Sequence, residues 1–236
     1  MIPRRCFALG LTFAGALLFA IPASSAPRHV EVLPANTPIY RVADVAGTCA
    51  LGTVGEPAQV GVLYPPDDTY LTLIRPTTCG SCSVTALSNV RLSLEFRKVC
   101  SVPVAISVVR AFGTTCPQPD QGQIVFPAFS AVLTPSEVGV TEFVVPVPIE
   151  WRLDADAFLA VHFNSETDSC SAEGEQPRIA LRAGCPRCTA YENFSGSTED
   201  VCESGVGLPL MSVDVSECVP TPVARRSWGS LKIRYR

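Results

Sequence analysis

The chain has 236 residues, 47% hydrophobic and 17% charged, with 11 cysteines, 21 prolines and a formal net charge of −4. It is long enough to bury a real core, so its cysteines act as staples on a globular fold and do not replace one. An acidic balance with Lys98 and Lys232 as the only lysines excludes a nucleic-acid or anionic-membrane binder held by charge.

The first segment, 1–26, is predicted to be a signal peptide. Arg4 and Arg5 precede the uncharged apolar run Cys6–Ile21, Pro22 ends it, and Ala23, Ser24, Ser25 and Ala26 supply the small residues of a cleavage site. Pro27 hinders cutting after Ala26, so cleavage after Ser25 competes. Arg4-Arg5-Cys6-Phe7 partly matches a twin-arginine signal. Cleavage at either site removes two cations and no acid. No second long apolar run follows, so no membrane span is expected in the mature chain. The expected location is secreted: extracellular, periplasmic or on the outer surface.

Residues 27–58 read as an N-terminal leader and first strands. Pro27–Pro38 either runs along a sheet or stays loose. From 59 to 218 the chain reads as one β-sandwich domain, because apolar and β-branched residues come in short runs punctuated by Pro, Gly, Asp and Ser. The predicted strands are Gln59–Tyr64, Tyr70–Ile74, Val90–Phe96, Val104–Phe112, Gln123–Leu133, Val138–Val147, Ala157–Phe163, Arg178–Arg182 and Leu208–Val215. Val90, Leu92, Leu94 and Phe96 share one face, leaving Arg91, Ser93 and Glu95 on a face expected to meet solvent. Ala157–Phe163 is apolar on both faces and is predicted to be central. The fold class is therefore all-β: an antiparallel two-sheet sandwich of jelly-roll or Greek-key topology, stapled by disulfides.

Ten cysteines follow the predicted signal: Cys49, Cys79, Cys82, Cys100, Cys116, Cys170, Cys185, Cys188, Cys202 and Cys218. An even set behind a signal predicts five disulfides and no free thiol. Proximity favours Cys100–Cys116 and Cys202–Cys218. The pairs Cys79-Gly80-Ser81-Cys82 and Cys185-Pro186-Arg187-Cys188 have the spacing of a four-thiolate zinc site or a redox motif. Zinc needs reduced thiols in an oxidising compartment, and no helical pattern follows either pair. Haem attachment fails because Ser83 and Thr189 stand where histidine is required. Structural disulfides are the expectation, with no metal site among these cysteines.

The segment Trp151-Arg152-Leu153-Asp154-Ala155-Asp156-Ala157-Phe158-Leu159-Ala160-Val161 is similar to the turn and strand late in the jelly-roll modules of secreted bacterial proteins, some of them carbohydrate-binding. The resemblance spans roughly Gln59–Cys218 and is one of architecture. It implies a sandwich and a binding role, and it assigns no ligand residue.

Catalytic signals are sparse. His29 falls in the leader, and His162 in the buried strand reads as a core histidine bonded to a neighbour. No nucleophile elbow, metalloprotease helix or phosphate loop occurs. Glu95, Glu142, Glu150, Asp154 and Asp156 would be the carboxylates of a glycosidase-like site. Candidate ligand-binding residues are Trp151, Tyr191, Asp154 and Asp156. With Tyr70, the Trp151 and Tyr191 rings would form a sugar-stacking platform, although a core position competes for Trp151. Asp67-Asp68, Asp154 with Asp156, Asp168 with Glu173 and Glu175, and Glu199-Asp200 offer calcium-type oxygens in loops. Asn193-Phe194-Ser195 is a glycosylation sequon.

Residues 219–236 read as a Pro-hinged basic tail. Val223–Arg236 holds five cations and no acid. It is either a sorting or docking tag or a last strand with Leu231, Ile233 and Tyr235 facing the core. The functional expectation is a non-catalytic binding or structural module, with carbohydrate or a cell-envelope protein as partner. The alternative is a secreted, carboxylate-dependent hydrolase.

Overall fold

The computed structural model describes residues 30–41, 49–63, 68–80, 82–164, 170, 175–194, 196–203, 205 and 207–220. The signal peptide, the tail Val223–Arg236, Asp67, Asp168, Glu173, Ser195 and the Glu150 side chain lie outside these residues.

Alternating apolar residues and abundant Val, Ile and Thr give strands wherever the chain is not interrupted by Pro or Gly. In chain order they are β1 (Val30–Val32), β2 (Ile39–Tyr40), β3 (Cys49–Gly52), β4 (Gln59–Val62), β5 (Thr69–Ile74), β6 (Cys82–Phe96), β7 (Val102–Phe112) and β8 (Gln118–Leu133). There follow β9 (Gly139–Leu153), β10 (Ala157–Phe163), β11 (Arg178–Arg182), β12 (Ala190–Phe194), β13 (Ser197–Asp200), β14 (Leu208–Pro209) and β15 (Met211–Pro220). A 3₁₀ turn, Pro76–Cys79, separates β5 from β6.

The strands form two sheets. The first contains β4, β11, β6 and β9 side by side, and the second contains β5, β10, β7 and β8. That order is the eight-stranded jelly roll. β12 and β13 extend the second sheet beyond β5, and β15 and β3 pair on from β6 in the first. The main pairings are antiparallel, with the two-residue β2–β9 contact parallel. Between the sheets lie Leu92, Leu94, Phe96, Ile106, Leu159, Val161, Phe163, Ile179, Leu181 and Val213, all fully buried. β10 is central, as its sequence predicts, between β5 and β7.

The outer face of the first sheet departs from expectation. Arg91 and Glu95 are buried, not solvated. Arg178 on β11 donates two hydrogen bonds of 2.7 Å to the Glu95 carboxylate, and a third to Glu31 on β1. Arg91 donates to Asp214 on β15 at 2.7 Å and to Glu142 on β9 at 3.3 Å. Alternation separated the two faces correctly. It could not show that ion pairs fill the second face so that it can be buried.

The leader contributes to this cover. β1 pairs with β4 near one edge and β2 pairs with β9 near the other. Between them Leu33 packs with Val140, Ala180 and Leu210 on the outer face. Residues 30–40 thus strap the sheet from edge to edge. The strap passes so close to Gly139 (φ +135°) that a Cβ there would lie 2.6 Å from the Pro38 carbonyl oxygen. Gly139→Ala should therefore cost about 1–3 kcal/mol through backbone strain, before any displacement of the strap. Urea unfolding measures the loss, and proteolysis at 33–38 reports a lifted strap.

The β8 and β9 edges, on one side of the sandwich, are blunted. β8 carries Pro119 and Pro127 and slips register three times against β7. β9 carries Pro146 and Pro148 and bulges opposite Leu87–Asn89. Missing N–H groups and bulges are standard protection against edge-to-edge pairing. Trp151 closes this side from within. It stacks on Phe126 at 5.0 Å and meets Phe129 edge-on at 5.6 Å.

All ten cysteines beyond the predicted signal form disulfides: Cys49–Cys79, Cys82–Cys218, Cys100–Cys170, Cys116–Cys188 and Cys185–Cys202. Neither CxxC pair closes on itself. The pairings expected from proximity, Cys100–Cys116 and Cys202–Cys218, do not occur. Cys100 and Cys116 flank the 11-residue strand β7, which holds them at opposite ends of an extended segment. The ten-residue β15 likewise carries Cys218 away from Cys202.

Candidate functional site

The β7–β8 hairpin is longer than the sheet beneath it. Its end folds back over the outer face of the second sheet and is fastened to β12 and β13 on the far edge. The fastenings are the Cys116–Cys188 bridge, the Tyr191 hydroxyl donating to the Pro117 carbonyl at 2.9 Å, and Gln121. The Gln121 side chain accepts from Asn193 at 2.8 Å and donates to Thr198 at 3.1 Å. Beneath this clasp lies a second apolar cluster of Leu71, Leu73, Val109, Phe158, Ala160 and Tyr191.

Between the clasp and β13 opens a cleft of about 570 Å³. Phe112 and Tyr191 give it an apolar side, and Glu199, Asp200 and Glu203 an acidic one. Phe112 is 52% exposed, large for a phenylalanine. Two disulfides, Cys116–Cys188 and Cys185–Cys202, hold the loops around the opening. Asp200 is committed to the frame: its oxygens accept the Cys188 amide at 2.6 Å and the Cys202 amide at 2.8 Å. Glu203 is paired with Arg187. Of the three, Glu199 is left facing the opening with no ion pair among the described residues.

Burial, and secondarily the Asp200 charge, push the Tyr191 hydroxyl above the usual phenol range, with Arg187 partly opposing. A phenol with a raised folded pKa contributes stability that is full below about pH 10, its unfolded value, and falls as pH rises above that toward the folded pKa. Tyr191→Phe should remove this alkaline loss while sacrificing the bond to Pro117. Melting curves between pH 8 and pH 11 should run closer to flat for the variant, and parallel curves would refute the assignment.

The other candidate residues are dispersed. Trp151 is buried against β8, Tyr70 is buried between the sheets, and Tyr191 is buried under the clasp. The three rings share no exposed surface, so no stacking platform forms from them. Asp154 and Asp156 sit in the β9–β10 turn, where Asp156 pairs with Arg75 at 3.3 Å. Glu95 and Glu142 serve the ion pairs of the first sheet. Of the calcium-type acids, Asp68 is buried, Glu175 pairs with Lys98, and Asp200 caps amides. Among the described residues no three metal-binding side chains converge. His162 is half-buried, with Nδ1 2.9 Å from the Thr69 hydroxyl. The Asn193 amide is engaged by Gln121.

The residues that line the cleft escaped sequence reasoning, apart from Cys116, Tyr191 and the pair Glu199-Asp200. The signal that was present is the cluster of Cys116, Cys185, Cys188 and Cys202, which marks where loops are being fixed. Neither a protein-family model nor a curated protein sequence matches this chain.

Proposed function

We propose that this protein is a non-catalytic binding module of the cell exterior, with the clasp cleft as its ligand site. The observation that carries the reading is the clasp itself. A loop carried across a whole sheet and locked by the Cys116–Cys188 disulfide costs chain entropy, and a rigid recognition surface is the return, since preorganised loops bind without an ordering cost. Phe112 supplies an exposed apolar contact and Glu199 an acceptor for hydroxyl or amine donors. That combination suits a hydroxyl-rich ligand such as a carbohydrate. The hydrolase alternative would require two convergent, uncommitted carboxylates, and in this cleft Asp200 and Glu203 are already engaged. The predicted signal segment and the five disulfides support an exterior location.

The test is a glycan array with the oxidised protein, followed by calorimetry on any ligand found and a reducing-sugar assay. Binding that Phe112→Ala or Glu199→Gln weakens at least tenfold, with melting unchanged, supports the reading. Ligand hydrolysis, binding indifferent to both variants, or failure to retain any glycan would overturn it.

A further inference from the structure

We propose that a second, smaller cleft is an oxyanion site that takes one sulfate, phosphate or carboxylate group. This goes beyond the binding reading above and does not depend on it. The cleft, of about 190 Å³, lies where β3, β5, β11 and β14 end. It is lined by Arg75, Arg182 and the threonines Thr53, Thr72, Thr78 and Thr189. It is smaller than the roughly 300 Å³ of drug-sized pockets, so it suits an ion or a single small charged group.

Two observations converge. The first is charge. No acid lines the cleft. Asp156 pairs with Arg75 Nε at 3.3 Å from outside, and among the described residues the Arg182 guanidinium has as its partner only the Val54 carbonyl, at 3.3 Å. Two guanidiniums against one carboxylate leave one positive charge, in a chain whose formal charge is −4. Guanidinium groups bind oxyanions through paired N–H donors. The second is Thr72. Its hydroxyl is fully buried and has no hydrogen-bond partner among the described residues. A buried polar atom left unpaired is costly, and a ligand oxygen above it would satisfy it.

Calorimetric titration of the full oxidised protein with inorganic sulfate, phosphate and glucuronate tests this, at low ionic strength where surface charge is least screened. Saturable one-to-one binding is expected. Arg182→Gln should weaken it at least tenfold with melting temperature unchanged in the absence of ligand, and Thr72→Val should weaken it several-fold with melting temperature not lowered. Arg152→Gln, an exposed arginine elsewhere, should have no effect. Tight sulfate and phosphate with weak glucuronate identifies a tetrahedral anion, and the reverse order identifies a carboxylate. Absence of saturable binding, or equal affinity in wild type and Arg182→Gln, would overturn the site. Thr72→Val is close to isosteric, so it keeps the test valid even if an arginine variant were to unfold.

Discussion

Replacing Cys82 and Cys218 together by alanine should cost about 4 kcal/mol, more than the loss of Cys185–Cys202. Cys82–Cys218 spans 136 residues and Cys185–Cys202 spans 17. In the chain-entropy model a bridge stabilises by restricting the unfolded chain, and the effect grows with the logarithm of loop length. Taken alone, the longer loop would give about 5 kcal/mol and the shorter about 3. The other bridges stay closed in the double variant, however. Through Cys100–Cys170 and Cys185–Cys202 the shortest covalent path from residue 82 to residue 218 is roughly 50 residues, which lowers the figure to about 4 kcal/mol. The bridge also ties β15 to the start of β6, where the register slips between Val219 and Pro220. Urea unfolding of the two double variants at one pH measures the difference. An equal loss in both would show that the native state, and not the unfolded chain, sets the effect of each bridge.

The same topology explains which parts of the fold the sequence disclosed. Ala157–Phe163 and Arg178–Arg182 are recoverable to the residue, because each is a short, mostly apolar run bounded by turn residues or charges, the pattern of a strand buried on both sides. β6 begins eight residues before its predicted start. Its first half, with Ser83, Thr85, Ser88 and Asn89, is polar and is held by pairing with β9 and β15 instead of by a hydrophobic face. β12 and β13 were missed for a related reason: Asn193, Ser197 and Gly196 resemble a turn, and only the β5 edge makes β12 a strand. Disulfide partners were illegible because a jelly roll sets sequence-distant strands side by side, so nearness in sequence carries the wrong information. The clasp is illegible for the same reason, since nothing in residues 113–122 encodes which edge they reach.

Arg178→Ala should destabilise the protein by about 3–5 kcal/mol, in the range for breaking a buried pair from one side. Arg178 and Glu95 are 5% and 6% exposed, and the guanidinium grips the carboxylate through two bonds of 2.7 Å. Truncation leaves Glu95 buried without its cation, and Glu31 loses Arg178 while keeping Arg97 at 2.9 Å. The loss should therefore spread to the strap. β1, which carries Glu31, would become more open to exchange, and amide exchange at Val30–Val32 should accelerate more than at β10. Replacing both partners, as in Arg178→Met with Glu95→Leu, should recover most of the stability, because two apolar groups of similar volume need no counter-charge. The recovery separates a buried-charge penalty from lost packing. A double variant as unstable as Arg178→Ala would mean that the pair itself holds β11 to β6. Full recovery with fast exchange still confined to Val30–Val32 would show that the Glu31 contact, and not the core pair, fastens the strap to the sheet.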